Sequence, residues 1–270
     1  MTIRIARIGS IDIAYEISGP VDAPVVLLSH CFCADHRFWD AHLSACAGCR
    51  VVRYDTRGHG ASSCPAGPYS LDMLAGDVVG LLDNLEIEKV HFAGVSMGGM
   101  IGQTLALTFP ERLASLALVN TTPRYSSAQR VAWRERAATV LNDGMAAVHD
   151  DLMRRWFTDD AIESANAGYL YMADAVHRFL PQSFDAVTAA MCQLDTTERL
   201  GEILLPTLVV AAPDDPGVPP ELSEKLAQDI PTSELHWLTP ARHLATLEHV
   251  ETFNRLMRAH LQKMRNLPRP

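Results

Sequence analysis

The chain has 270 residues, with 23 Lys and Arg against 32 Asp and Glu for a formal charge of −9, and it is 48% hydrophobic, 20% charged and 7% aromatic. That composition belongs to a globular protein, and the length suits one large α/β domain or two ordinary ones, either able to bury a core without staples; an excess of acid excludes a general binder of nucleic acid, whose affinity rests on clustered Lys and Arg. No apolar run approaches the 18 or more residues of a membrane span, and MTIRIARIGS lacks the uninterrupted apolar stretch of a secretory leader, so the expected setting is cytoplasmic, away from membranes.

Residues 2–8 and 11–17 alternate polar and apolar around Gly9-Ser10 and predict a hairpin. Residues 25–29, 51–54, 90–93 and 116–119 are strand-length apolar runs with helical patterns between them, which predicts a mostly parallel central sheet flanked by helices. Residues 70–85 carry Leu71, Leu74, Val78, Leu81, Leu82 and Leu85 at helical spacing. From about 122 to 200 the strand signal stops, and stretches rich in Ala, Arg, Trp and Met, broken at Gly144, Gly168 and Pro181, predict an inserted helical cap. The sheet pattern resumes at 207–212, followed by a Pro/Asp/Gly loop at 213–220, a helix over 221–229, a strand near 234–238 and a closing helix over 247–262. The expected organisation is a core of residues 1–121 and 201–270 interrupted by a cap of residues 122–200.

Gly94-Val-Ser-Met-Gly98 is a G-x-S-x-G pattern placed between a predicted strand and a predicted helix. Small flanking residues let the chain turn sharply there and lift the serine hydroxyl above the sheet edge, as in the nucleophile elbow that α/β-hydrolases carry. Ser96 is therefore the candidate nucleophile. A serine hydroxyl needs a base to take its proton and a carboxylate to orient that base, in the chain order Ser, acid, His. Of the eleven histidines, His243 lies in a loop after the last predicted strand, whereas His236 falls within that strand and His249 and His260 within the closing helix. His243 is the candidate base. For the acid, the loop after residue 119 offers only Asn120, while the loop after residue 212 offers both Asp214 and Asp215. The oxyanion that forms during attack needs backbone N–H donors, and the candidates are Met97, next to the nucleophile, and Phe32, in the loop after the strand at 25–29.

Arg53-Tyr-Asp-Thr-Arg-Gly-His-Gly60-Ala-Ser, Gly94-Val-Ser-Met-Gly-Gly-Met-Ile-Gly-Gln103, Pro110-Glu-Arg-Leu113 and Ala212-Pro-Asp-Asp-Pro-Gly-Val-Pro-Pro220 resemble the 3-oxoadipate enol-lactonases of the α/β-hydrolase superfamily. The cap segments Trp133-Arg-Glu-Arg136, Val140-Leu-Asn-Asp-Gly-Met145 and Arg155-Trp-Phe-Thr158 are similar to that subfamily at the same spacing. The resemblance implies an α/β-hydrolase fold, Asp215 as the acid, and a carboxylic ester hydrolase that opens a five-membered enol-lactone in aromatic catabolism through an acyl-enzyme on Ser96. Two segments depart from the subfamily: Ser29-His-Cys-Phe-Cys33 carries cysteines where a smaller residue and a glycine are expected, and Gln182-Ser-Phe-Asp-Ala-Val-Thr-Ala-Ala-Met-Cys192 matches loosely.

An enol-lactone of this class bears a carboxylate, which an Arg pairs with bidentately. The cap offers Arg134, Arg136, Arg154 and Arg155, with Arg134, Arg136 and Trp133 taken as the substrate-binding candidates. The rival readings are a carboxylesterase or a lactonase for another ring, with perhydrolase side activity on the same triad, and a non-catalytic ligand receptor on the same fold. A serine at the elbow argues against a haloalkane dehalogenase, which uses a carboxylate there. No metal or organic cofactor is expected, the partner is a small-molecule lactone or ester, and a homo-oligomer is left open. Cys46 and Cys49 have redox or zinc spacing without a second pair to complete a tetrahedral site.

Overall fold

The computed structural model describes residues 2–265. Among them, β1 (Arg4–Ile8), β2 (Ile11–Ser18), β3 (Val25–Ser29), β4 (Arg50–Tyr54), β5 (Val90–Val95), β6 (Leu113–Val119), β7 (Thr207–Ala211) and β8 (Ser233–Trp237) form one sheet in the order β1-β2-β4-β3-β5-β6-β7-β8. β1 and β2 pair antiparallel across Gly9-Ser10, with Ile8 opposite Ile11 and Gly9 at φ 56, a left-handed conformation that glycine adopts without steric cost. β2 also pairs antiparallel with β4, and every later neighbour pair is parallel. The central strands β3, β5, β6 and β7 are buried along almost their whole length, which is why they read as unbroken apolar runs rather than alternating ones.

The strand order places the site. From β3 the chain crosses to β4 on one side and later returns to β5 on the other, so the loops leaving the C-terminal ends of β3 and β5 diverge and leave a crevice between them. One loop begins at His30 and the other holds Ser96.

Helix α1 (Leu71–Asn84) starts at Ser70, whose hydroxyl accepts from Met73 N–H at 3.1 Å, and buries Leu71, Leu74, Val78, Leu81 and Leu82. Each of these side chains contributes about 1.5–3 kcal/mol relative to exposure. Helix α2 (Met97–Thr108) is buried nearly all round, as its run of apolar and small residues requires. Between β3 and β4 the chain forms a 3-10 stretch, His36–Cys46, instead of a regular amphipathic helix.

Between β6 and β7 lie α3 (Ser127–Asp143), α4 (Ala146–Trp156), α5 (Asp159–Glu163), α6 (Ala167–His177) and α7 (Pro181–Met191). Ser126 and Gln129 form a reciprocal capping box at the start of α3, Gly144 ends it at φ 79, and Pro181 is the first residue of α7. Gly168 does not break the chain as its composition suggests. It lies inside the first turn of α6, where an added Cβ would stand 2.6 Å from Leu247 Cβ, so the glycine serves close packing. The break falls two to three residues earlier, at Ala165 (φ 47) and the capping residue Asn166.

Helix α8 (Pro220–Asp229) follows β7. The closing helix is split: a short turn α9 (Ala245–Glu248) precedes α10 (Val250–Arg265), and His249 sits at the junction rather than within the helix. Phe253, Met257 and Leu261 recur at four-residue spacing and are buried, while Asn254 Oδ1 accepts from His42 Nδ1–H at 2.8 Å and ties α10 to the 3-10 stretch. Cys46 and Cys49 are both buried.

Candidate active site

Ser96 links β5 to α2 at φ 54 and ψ −111, a left-handed conformation that a non-glycine residue holds only when its surroundings fix it. Those surroundings are specific. Ser96 N–H donates to Val119 O at 2.8 Å, and Ser96 O accepts from Met100 N–H at 3.0 Å and Thr121 Oγ1 at 2.9 Å. A Cβ on Gly94 would meet Gly98 O at 2.2 Å, one on Gly98 would meet Ser29 O at 2.3 Å, and one on Gly99 would meet Thr121 Cβ at 2.6 Å. Glycine at these positions lets the turn close against β3 and against the loop after β6.

Above the turn, His243 Nε2 lies 2.8 Å from Ser96 Oγ, and His243 Nδ1 lies 2.7 Å from Asp215 Oδ2. All three side chains are buried. Asp215 Oδ1 accepts from Gly217 N–H at 2.7 Å and Val218 N–H at 3.1 Å, and Oδ2 is also approached by Asn120 Nδ2 at 3.4 Å. Asp214 is exposed. The carboxylate beside His243 is thus Asp215, and the two backbone bonds leave Oδ2 free to face the imidazole.

Met97 is the first residue of α2, so its N–H has no partner within the helix. In the loop after β3, His30 Nε2 accepts from Thr56 N–H at 3.0 Å, which assigns the ring proton to Nδ1, and Nδ1–H donates to Cys31 O at 2.8 Å. Burial pulls the His30 pKa down and keeps the ring neutral, as that arrangement needs. In a planar trans peptide the N–H points opposite the C=O, so fixing Cys31 O also fixes the direction of Phe32 N–H.

Two chambers that share four wall residues lie at the site, an inner one that holds Ser96 and an outer one beside it. The inner one is lined by Cys31, Phe32, Ser96, Met191 and Leu244; the outer one by Gln129, Arg136, Arg155 and Gly217; and Tyr125, Trp133, Trp156 and His243 border both. Phe32 is packed edge-on against Trp133 and Phe179 at 5.8 and 5.5 Å between ring centres. Of the expected binding residues, Trp133 and Arg136 line the outer chamber, whereas Arg134 is exposed and outside both linings. Trp133 shows why: with Ala137 and Val140 it marks the inward face of α3, and Arg134 lies roughly 100° round from it. Tyr125, Trp156 and Arg155 were not selected from the sequence. A signal existed for Arg155, which stands three residues after Leu152 and seven after Val148, the buried face of α4, whereas Arg154 points away and is exposed.

The end of α4 is fastened to the loop that carries His243. Leu244 N–H donates to Trp156 O at 3.0 Å, and Arg242 Nη1 donates to Arg154 O and Phe157 O, each at 2.8 Å, and to Asp159 Oδ1 at 3.0 Å. Glu248 accepts from Thr158 N–H at 3.1 Å, from the Thr158 hydroxyl and from Arg242 N–H at 3.3 Å. Asp35, His36 and Asp55 bring three potential metal-ligand atoms together. Their acceptors are already occupied: Arg37 grips Asp35, and His36 Nδ1 and Ala61 N–H bond Asp55.

Residues 24–250 match the family described by the alpha/beta hydrolase fold. The chain belongs to the α/β-hydrolase fold family. Within that family it is similar to 3-oxoadipate enol-lactonase 2 of Acinetobacter baylyi, with 32% identity over 92% of each chain. It is also similar to RutD of Variovorax paradoxus, named for carbamate hydrolysis, with 34% identity over 89% of this chain and 92% of the relative. The solved enol-lactonase of Burkholderia xenovorans superposes with a TM-score of 0.92 at 32% identity, covering 96% of this chain and all (100%) of that one. The resemblance seen in the motifs is thus matched along nearly the whole α/β-hydrolase chain, and the expectation of a hydrolase for ester or lactone bonds stands. No helix among the described residues is long and apolar enough to cross a membrane.

Proposed function

We propose that the protein is a serine hydrolase that opens a lactone, with 3-oxoadipate enol-lactone as its substrate. The observation that carries this reading is the continuous line of hydrogen bonds from Ser96 Oγ through His243 to Asp215, held on a strained turn. His243 takes the proton as Ser96 attacks the carbonyl, and Asp215 keeps the imidazole in the tautomer with Nδ1 protonated and balances the imidazolium that forms. Met97 and Phe32 N–H groups bind the developing oxyanion. Opening a ring leaves the released enol tethered to the acyl-enzyme, and His243 then activates water to free the acid. Residues 122–200 act as a cap whose Trp133 and Trp156 wall the chamber and retain the opened chain until water attacks.

The enol-lactone is favoured over other esters by the similarity to two Acinetobacter baylyi enol-lactonases, at 32% and 30% identity, and by arginines lining the outer chamber. A carbamate is the second reading, supported by the similarity to RutD at 34% identity. The test is labelling by a fluorophosphonate together with kcat/KM on 3-oxoadipate enol-lactone, p-nitrophenyl acetate and a short carbamate, with Ser96→Ala as blank. Labelling of wild type alone and a preference of orders of magnitude for the anionic lactone is the expected result. Equal labelling of Ser96→Ala overturns the nucleophile, and a preference for the neutral ester or the carbamate overturns the substrate.

A further inference from the structure

Two guanidinium groups, Arg136 and Arg155, line the outer chamber, and their situations differ. Arg136 is already engaged: it donates to Asp151 at 3.0 Å and lies over the Trp133 ring at 5.1 Å from its centre. The chamber's amide, Gln129, spends its Nε2 on Gly217 O at 3.0 Å. Arg155, half-buried in the last turn of α4, has no hydrogen-bond or ion-pair partner among the described residues.

A guanidinium that is partly stripped of water and given no acceptor in return is costly, and the cost is recovered when an anion fills the fork. The walls beside it, Tyr125, Trp133 and Trp156, exclude water and strengthen any ion pair formed there. The chain as a whole carries a charge of −9, so its general field repels anions and a local cation has to decide their binding. His243 borders both this chamber and the inner one that holds Ser96, so the two chambers meet at the same imidazole.

We propose that Arg155 is the residue that selects for an anionic substrate, by pairing with a carboxylate on the molecule whose carbonyl Ser96 attacks. This rests on the hydrolytic reading of the site and deepens it by assigning the anion to one side chain. Arg136 braces Trp133 and does not hold the substrate.

The test uses adipate, a short dicarboxylate, as probe, with 1,6-hexanediol as its neutral counterpart. Calorimetry gives the adipate Kd for wild type, Arg155→Gln, Arg155→Lys and Arg154→Gln, and kcat/KM on p-nitrophenyl acetate is measured on the same samples. The expected result is that wild type binds adipate and not the diol. Arg155→Gln should weaken adipate roughly ten- to a hundredfold more than it lowers ester turnover, the range for one charge-assisted hydrogen-bonded pair. Arg155→Lys should recover part of the loss, and Arg154→Gln, the same loss of charge on the exposed side of α4, should follow wild type. Adipate binding that is unchanged in Arg155→Gln, or that falls in step with ester turnover, overturns the proposal. Failure of Ser96→Ala to abolish ester turnover overturns the hydrolytic reading instead, and the adipate measurements still judge Arg155.

Discussion

Replacing Asp215 by asparagine removes one charge and leaves the shape of the site unchanged, and the local bonds dictate how the new amide must sit. Gly217 and Val218 N–H groups, at 2.7 and 3.1 Å, hold the Oδ1 position for an oxygen, so the amide nitrogen is forced towards His243 Nδ1. Two donors cannot share that 2.7 Å contact. His243 escapes by moving its proton to Nε2, where it points at Ser96 Oγ and can no longer accept the serine proton. A wrong tautomer in a triad of this kind lowers kcat about 10⁴-fold, or about 5 kcal/mol of transition-state stabilisation. The assay is kcat on p-nitrophenyl acetate for Asp215→Asn and Asp214→Asn, with circular dichroism and Tm to establish that both fold. Asp214 is exposed and its variant should follow wild type. A folded Asp215→Asn within tenfold of wild type, or an equal loss in Asp214→Asn, refutes the assignment of the acid.

Two glycines of similar appearance in the sequence should respond in opposite ways: Gly98→Ala places a Cβ 2.3 Å from Ser29 O and should cost about 1–3 kcal/mol or more with loss of activity, whereas Gly76→Ala, with nothing within 4 Å in α1, should stabilise by up to about 1 kcal/mol. Urea midpoints of the two variants check this, and a neutral Gly98→Ala would refute the close-approach account of the elbow. Acid should destabilise the fold early. Burial holds His42 and His260 to about 4 and His59 to about 3, all below the ordinary histidine value of 6.5. The unfolded chain takes up these protons first, so stability present at pH 7 is lost as pH falls from 6.5 towards about 4, with each group contributing up to about 1.36 kcal/mol per pH unit. His36, raised by its bond to Asp55, acts in the opposite sense, its contribution being lost as pH rises, and with His30 also held down by burial four outweigh one. Urea unfolding at pH 7 and pH 5 should show a clearly lower stability at pH 5; equal stability at the two would refute it.

The elbow, His243 and the strand sequence were legible in the sequence because each depends on local chemistry: small residues at a turn, unbroken apolar runs, and a histidine in a loop after the last strand. The choice between Asp214 and Asp215 was not local. Both occupy the same turn, and only the fold shows that Gly217 and Val218 anchor the second while the first faces water. The arginines between β6 and β7 were harder still. Arg134, Arg136, Arg154 and Arg155 are chemically alike, and what separates them is the rotation of α3 and α4 about their axes and the presence of Asp151 beside one of them. Gly168 misled for a related reason: a glycine that admits Leu247 into contact looks the same on paper as one that ends a helix.

The fastening of α4 to the loop of His243 bears on how such enzymes diversify. Leu244 N–H bonds Trp156 O, and Arg242 collects the carbonyls of Arg154 and Phe157, so a wall of the chamber and His243 share one piece of scaffolding. Transplanting residues 122–200 from a relative would exchange the walls and sever these joints in the same operation, so an inactive chimera would report a displaced imidazole as readily as an unsuitable pocket. A graft that carries residues 239–248 together with the helices keeps the joinery intact, and makes chamber shape the only variable left to read.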